Sequence, residues 1–103
     1  MKNEPAAESL SMIAKHIFYE GRVQGVGFRY TVKRIAKGYD VIGWVRNLPD
    51  GRVELLAGGQ EEEVNGFLED IAESELAAFI KKKEEHAVTA VALVGLRGFE
   101  IRA

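Results

Sequence analysis

A glycine-rich stretch near the start of the chain, Gly-Arg-Val-Gln-Gly-Val-Gly-Phe-Arg over residues 21–29, has the residue types of an anion-binding turn. It follows a strand-like segment and opens a helix-like one. In a turn at such a junction the backbone N–H groups converge on one point, and the helix N-terminus adds positive potential there. Arg29, at the far end of the stretch, can complete the cage around a phosphate with a bidentate contact. The stretch therefore predicts that the chain holds a phosphoryl group.

The backbone amides that would form this cradle belong to five consecutive residues: Val23, Gln24, Gly25, Val26 and Gly27. The two glycines permit backbone angles and a close approach that a side chain would prevent. The alternative is an ordinary tight turn, in which the glycines only allow the chain to fit. Spacing alone does not separate these two interpretations.

Asn47 is the second candidate, because it stands at the end of a strand-like segment just ahead of Pro49. A side-chain amide there can accept a hydrogen bond from water and donate one to phosphate. A neutral amide is too weakly basic to act as a general base, so positioning of water would be enough only for a substrate that is already reactive. Taken by itself, Asn47 is better explained as a turn-capping residue.

The elements that must position these residues follow from the hydrophobic pattern. β-branched and aromatic residues between turn signals predict strands, and apolar residues at helical spacing predict helices. The predicted order is strand, helix, strand, strand, helix, strand and a last short strand. The ranges are 13–21, 28–39, 40–47, 52–57, 60–74, 78–86 and 98–102, with Gly58-Gly59 ending the third strand.

The segment after the second helix allows two interpretations. In the first, residues 78–86 form an edge strand, whose many charges discourage pairing with other chains. In the second, the helix continues to residue 86 and the strand covers residues 87–94. We expect the edge strand.

This order predicts an α+β fold, a ferredoxin-like βαββαβ two-layer sandwich. Its mostly antiparallel sheet carries both helices on one face and gains a short extra C-terminal strand. The first two strands then run in the same direction with the third between them, so their C-terminal ends lie at one edge, about 10 Å apart. The glycine turn and Asn47 are therefore expected to be neighbours in space.

Length and composition limit the function classes. With 103 residues, a net charge of −2 and no cysteine, we expect one domain over residues 13–103 preceded by a flexible tail over residues 1–12, or alternatively a short helix over residues 4–12. The absence of cysteine excludes disulfides and thiolate metal sites and is compatible with the cytoplasm. The acidic balance argues against nucleic acid, and the apolar runs are too short for a membrane span. We expect a cytoplasmic monomer.

Several other polar and aromatic residues are expected to be structural. His16 and His86 are better explained as exposed or half-buried strand residues than as acid–base catalysts, and no carboxylate stands at metal-ligand spacing with either. We therefore expect no metal site. Trp44 is expected to be a core or packing residue, and Arg46 and Arg52 to be solvated surface charges.

Both candidate stretches resemble the paired signatures of the acylphosphatase family. Residues 21–29 match its first motif throughout, and residues 43–54, Gly-Trp-Val-Arg-Asn-Leu-Pro-Asp-Gly-Arg-Val-Glu, match its second. Residues 98–102 are similar to its C-terminal strand, so the resemblance covers about residues 13–102. The chain departs from the commonest family pattern between residues 74 and 96, where many members have a Gly-Pro-rich turn after the second helix.

The resemblance implies an enzyme that hydrolyses small-molecule acyl phosphates to a carboxylate and inorganic phosphate. It implies that the amides of the 22–28 loop and Arg29 hold the phosphate, that Asn47 orients the attacking water, and that neither a metal nor an organic cofactor takes part. One alternative is a non-catalytic adaptor module that binds phosphate or an acyl phosphate. Another is a nucleic-acid-binding sandwich, since similar topologies bind RNA on the sheet, but the acidic composition argues against it.

Overall fold

The computed structural model describes residues 12–103, which form a five-stranded sheet with two α-helices packed on one face. The elements in chain order are β1 (Met12–Gly21), α1 (Phe28–Ala36), β2 (Val41–Asn47), β3 (Val53–Gln60), α2 (Glu61–Ala72), β4 (Ile80–Val88) and β5 (Phe99–Arg102). Two short 3₁₀ helices, Glu75–Phe79 and Ala90–Leu93, flank β4. The predicted tail lies outside the described residues except for Met12, which begins β1.

The strand order across the sheet is β4-β1-β3-β2-β5. Three neighbouring pairs are antiparallel and the pair β2–β5 is parallel, so the predicted ferredoxin-like sandwich is confirmed with a mixed, mostly antiparallel sheet. Tyr19 of β1 pairs with Val53 of β3, which in turn pairs with Asn47 of β2. The C-terminal ends of β1 and β2 therefore lie at the same edge, as the topology predicted.

The main core lies between the helices and one face of the sheet. Strand residues at alternate positions face it, and each helix contributes an apolar stripe at helical spacing. The members with no measurable exposure are Ile17, Val23, Val32, Val45, Val53, Leu55, Ala57, Val64, Phe67 and Ile71. Each large apolar side chain buried in this way stabilises the fold by about 1.5–3 kcal/mol. This core fixes the orientation of α1 over the sheet and so places the loop before it.

β3 continues to Gln60, past the glycines that were expected to end it at residue 57. Gly59 remains in the sheet, paired with Ile13 on one side and Val41 on the other. At Gly58 a Cβ atom would lie 2.3 Å from the side chain of Leu93. Glycine here permits close packing of a 3₁₀ helix on the sheet and does not interrupt the strand.

Both helices are shorter than predicted. α1 ends at Ala36 because the amides of Lys37 and Gly38 bond to carbonyls only three residues back, which tightens the last turn. α2 ends at Ala72, where the Ser74 hydroxyl accepts a hydrogen bond from the amide of Leu76 and caps a 3₁₀ helix instead. No helix within residues 12–103 is long and apolar enough to cross a membrane.

The edge-strand interpretation of the charged segment is confirmed, with the strand at Ile80–Val88 and not at residues 78–86. β4 pairs only through β1 and forms one edge of the sheet. Residues 81–87 are exposed, which suits a run of lysine and glutamate that discourages pairing with other chains.

Candidate active site

The loop between β1 and α1 takes a conformation that requires glycine at two positions. Gly25 and Gly27 have φ angles of 80° and 78°, and Gly27 is the N-cap of α1 in the left-handed conformation. A Cβ atom at either position would meet no atom within 4 Å, so the backbone angle and not lack of space requires glycine. The amides of the first helical turn have no intrahelical acceptor, which leaves them free to bind an anion.

A cavity of about 130 Å³ lies where this loop, the first turn of α1 and the end of β2 meet. It is lined by Val23, Gly25, Gly27, Phe28, Arg29, Tyr30 and Asn47. Five of the predicted site residues are in this set: Val23, Gly25, Gly27, Arg29 and Asn47. The topology therefore brings the predicted arginine and asparagine to one small cavity beside a helix N-terminus, an arrangement that suits a phosphoryl group with one adjacent water.

The side chains of the other two predicted loop residues point elsewhere. Val26 is half-buried and packs against the main core. The side-chain Nε2 of Gln24 donates hydrogen bonds to the carbonyl oxygens of Leu48, at 2.8 Å, and Arg52, at 2.9 Å. The sequence analysis considered only the backbone of Gln24 and missed these bonds. The available signal was a polar side chain in an otherwise apolar and glycine-rich turn.

Arg29 is half-buried, and its Nη1 donates a hydrogen bond to the main-chain carbonyl of Arg102 at 3.0 Å. A guanidinium carries five N–H donors in a planar fork, so a bond along one edge leaves the other edge for an anion. The bond also restricts the rotamers of a long side chain. Arg29 is therefore held in place by β5 while it faces the cavity.

Asn47 precedes a tight turn that is closed without its side chain. The amide of Leu48 donates to the carbonyl of Arg52 at 2.8 Å, and the amide of Gly51 donates to the carbonyl of Leu48 at 3.1 Å. The carboxylate of Asp50 accepts bonds from the backbone amide and Nε of Arg52, and these bonds, the backbone one first, lower the pKa of Asp50. The turn-capping role that was the alternative for Asn47 is filled by Asp50, and the Asn47 side chain lines the cavity.

Tyr30 is a further cavity residue that sequence reasoning missed. Its side chain is 74% exposed at the rim, one position after Arg29. An aromatic residue at helical spacing is usually assigned to the core, and the exposed face of α1 could be recognised only once the helix was placed on the sheet.

A buried carboxylate lies on the opposite face of the sheet, which carries no α-helix in the described part of the chain. Glu54 is 6% exposed; its carboxylate accepts a hydrogen bond from Nε of Arg46 at 2.6 Å and lies 2.5 Å from Nε2 of His16. Burial raises the pKa of Glu54, but the bonds from Arg46 and His16 outweigh burial and hold this pKa below its usual value.

These contacts correct two expectations. Arg46 is not simply a solvated charge, because it pairs with a buried carboxylate and lies 5.1 Å from the ring centroid of Trp44. His16 is a half-buried strand residue as expected, but it does have a carboxylate partner, which strand pairing brings across from β3. Across residues 12–103, no group of three or more His, Cys, Asp or Glu side chains is arranged to hold a metal ion.

A larger groove of about 430 Å³ runs between α1 and α2, away from the loop. Asp70 and Tyr39 lie in it, and the Tyr39 hydroxyl donates a hydrogen bond to the Asp70 carboxylate, which raises the pKa of Tyr39 to about 12. A carboxylate in an open groove repels anions, and Arg34, which also lines the groove, is already paired with Glu75 at 3.0 Å. The smaller cavity is therefore the better site for a phosphoryl group.

Comparison with known proteins points to one family. The family model described as Acylphosphatase matches residues 15–101. An acylphosphatase of Nostoc sp. is 42% identical over 91 residues, which are 88% of this chain and 87% of that protein. The crystal structure of an acylphosphatase from Bacillus subtilis gives a TM-score of 0.78 at 35% identity and covers 88% of this chain and 99% of that one. HypF of T. kodakarensis gives 0.75 at 34% identity, with 88% of this chain covered and 12% of that chain.

Proposed function

This chain belongs to the acylphosphatase family, and on that basis we propose that the cavity lined by Arg29 and Asn47 is its active site. As an acylphosphatase, it is an enzyme that hydrolyses acyl phosphates to a carboxylate and inorganic phosphate. The observation that carries the proposal is that an arginine on α1 and an asparagine at the end of β2 line one cavity with the glycine loop.

The loop and Arg29 hold the phosphoryl group in this proposal. The amides of residues 23–27 and the N-terminus of α1 converge on its oxygens, and Arg29 adds a permanent positive charge. Phosphoryl transfer passes through a loose transition state in which charge is spread over the equatorial oxygens. Donors that are already in place stabilise that charge without reorganisation, and the bond from Arg29 to the Arg102 carbonyl supports such preorganisation.

Asn47 orients the attacking water. The water oxygen forms a bond to phosphorus while the bond from phosphorus to the acyl oxygen breaks, and the electron pair leaves with the carboxylate. A carboxylate is a good leaving group, so a strong general acid is not required, and one proton of the water passes to a phosphoryl oxygen. Positioning of the water in line with the leaving group supplies most of the remaining rate enhancement.

No metal ion or organic cofactor takes part in this proposal, because the amides and Arg29 already supply the positive potential that a metal would provide. In this proposal the site binds the phosphate and makes few contacts with the acyl group, so the substrates are small acyl phosphates as a class. In this proposal the protein acts as a monomer. The lack of cysteine is compatible with the reducing cytoplasm, where we place the protein.

The non-catalytic adaptor is not favoured. The match to the curated enzyme from Nostoc sp. extends over 87% of that protein, so the chain is comparable to a whole enzyme and not only to a module of a larger one. Arg29 and Asn47 are both present, whereas a module that only bound phosphate would not need a residue to orient water.

Hydrolysis of benzoyl phosphate by the purified chain, compared with hydrolysis of p-nitrophenyl phosphate, tests the proposal. Both substrates offer a phosphoryl group and an aromatic ring, but only the first has a carboxylate leaving group. We expect rapid, saturable turnover of benzoyl phosphate, inhibited by inorganic phosphate, and little turnover of the monoester. A chain that is folded by circular dichroism and turns over neither substrate would contradict the proposal.

A further inference from the structure

The side chain of Gln24 joins the two parts of the proposed active site, which are the loop that binds phosphate and the turn that follows Asn47. Gln24 belongs to the phosphate loop, and its amide nitrogen donates to the carbonyl oxygens of Leu48 and Arg52 at 2.8 and 2.9 Å. Leu48 directly follows Asn47, and Arg52 directly precedes β3. One side chain therefore extends from the element that would hold phosphate to the turn that would place the attacking water.

Both carbonyls already accept a main-chain bond. The Arg52 carbonyl accepts from the amide of Leu48, and the Leu48 carbonyl accepts from the amide of Gly51. A carbonyl oxygen has two lone pairs, and a primary amide has two N–H donors, so Gln24 adds one bond to each carbonyl. Because both donors are used, the position of the amide is defined in two directions. Such a contact fixes a distance between two elements better than a single hydrogen bond.

The loop that binds phosphate is also held in place by contacts that do not involve Gln24. The amide of Arg22 donates to the carbonyl of Phe79 at 3.0 Å, and Val23 is fully buried in the main core. Arg29 is held by the carbonyl of Arg102. Loss of the Gln24 side chain is therefore expected to leave the loop formed and to change its placement relative to the turn after Asn47.

We propose that Gln24 is a positioning residue that sets the distance between phosphoryl group and attacking water; this inference rests on the proposed function. In-line attack depends on close alignment, and a small misplacement of one partner lowers the rate without weakening the binding of the other. Gln24 is exposed, so its bonds are expected to matter little for folding. Removal of these bonds is therefore expected to lower kcat and to leave the affinity for phosphate nearly unchanged.

A double-mutant cycle over Gln24→Ala and Asn47→Ala tests this inference with benzoyl phosphate as substrate. We expect Gln24→Ala alone to lower kcat about tenfold while the inhibition constant of inorganic phosphate changes less than about twofold. In the Asn47→Ala background the same change is expected to lower kcat less than about twofold, because the residue through which Gln24 acts is already missing. Gln24→Glu, which keeps the shape but presents a carboxylate to two carbonyls, is expected to be as impaired as Gln24→Ala.

Gln60→Ala is the matched control, since Gln60 is an exposed glutamine at the far end of β3, and it is expected to keep wild-type kcat. Additive losses in the cycle, or a phosphate inhibition constant that rises in step with the loss of kcat, would overturn the inference and leave the proposed function standing. If Gln24→Ala lowers the melting temperature but leaves kcat per folded molecule unchanged, Gln24 has only a structural role and the inference is overturned. An Asn47→Ala variant with wild-type turnover would overturn the proposed role of Asn47 and this inference together.

Discussion

The guanidinium of Arg29 donates a hydrogen bond to the main-chain carbonyl of Arg102, 3.0 Å away and 73 residues later in the chain. Arg102 also pairs with Arg46, the neighbour of Asn47, through the parallel β2–β5 ladder. The last strand therefore touches the elements that carry both proposed catalytic residues. The two short motifs of the proposed site are therefore connected through β5, whose side chains do not line the cavity.

Replacement of Arg29 by alanine or by lysine is expected to lower kcat/KM for benzoyl phosphate by at least about 100-fold and to raise the inhibition constant of inorganic phosphate. Lysine keeps the charge but has no planar fork that can bond the Arg102 carbonyl and phosphate at once. Arg97→Lys, in the exposed loop before β5, is the matched control and is expected to behave as wild type. Steady-state kinetics with and without phosphate make the measurement. Retained turnover in Arg29→Ala would refute the phosphate-binding role.

Replacement of Asn47 by alanine is expected to lower kcat by about 100-fold and to leave inhibition by phosphate nearly unchanged, since the loop and Arg29 remain. Asn65→Ala, on the surface of α2, serves as the control for loss of an asparagine side chain. Kinetics and the melting temperature are measured on all three proteins. If Asn47→Ala loses phosphate inhibition as well as turnover, Asn47 is a structural residue.

Gly27→Ala and Gly98→Ala form a matched pair that isolates backbone conformation. A Cβ atom would meet open space at both positions, but only Gly27 has a left-handed φ, of 78°. We expect Gly27→Ala to cost about 1–2 kcal/mol of stability and to weaken inhibition by phosphate, because the amide cradle and the start of α1 shift. Urea denaturation and phosphate titration compare the two. Equal behaviour of the pair would show that the loop does not depend on this angle.

The stability of the protein is expected to fall in acid in part through Glu54. Its pKa in the folded state is below the ordinary value of 4.5, so below that pH the unfolded state binds more protons than the folded state. The contribution is complete above about pH 4.5 and is lost as the pH falls through the lowered pKa. Urea denaturation between about pH 3 and 7, a range that includes the ordinary pKa of a carboxylate, measures the slope.

Glu54→Gln is expected to flatten that slope and, at neutral pH, to cost about 1–3 kcal/mol, because the buried partner of Arg46 loses its negative charge. Asp50 and Glu85 also have lowered pKa values, so the difference between wild type and variant isolates Glu54. Glu62→Gln, at an exposed position of α2, is the control. A variant with the wild-type slope would show that the contacts of Glu54 contribute nothing to acid sensitivity.

Turnover of benzoyl phosphate is expected to be unchanged by EDTA and by added Mg²⁺, because Arg29 and the loop amides supply the charge stabilisation. Initial rates before and after dialysis against the chelator make the comparison, with the phosphate inhibition constant as a second readout. A loss of rate that a divalent metal restores would overturn the metal-free proposal.

Much of the candidate site could be proposed from the sequence because its two motifs are local. The glycines before α1 indicate backbone angles that few other residues adopt. Asn47 stands close to the Pro and Gly of a tight turn, so the conformation of each stretch can be predicted from its own residues. The alternation of predicted strands and helices then leaves few topologies, and the right-handed crossover brings both stretches to one edge. The expected order and strand pairing are those of the structure.

What the sequence could not supply are contacts that depend on side chains from distant segments. The bond from Gln24 to the Arg52 carbonyl spans 28 residues, and that between His16 and Glu54 spans 38. Gly58-Gly59 was predicted to end a strand because the sequence does not show that Leu93, a distant residue, packs closely against Gly58.

By itself, the sequence determined the order of elements and the glycine turn before α1, because backbone conformation follows from neighbouring residues. It identified the two candidate catalytic residues through the resemblance of both motifs to the acylphosphatase family. Only the tertiary structure decided which side chains hold those residues in place. Hydrogen bonds require a donor and an acceptor within about 3 Å, and the packing of α1 and β5 on the sheet sets which distant groups meet at that distance.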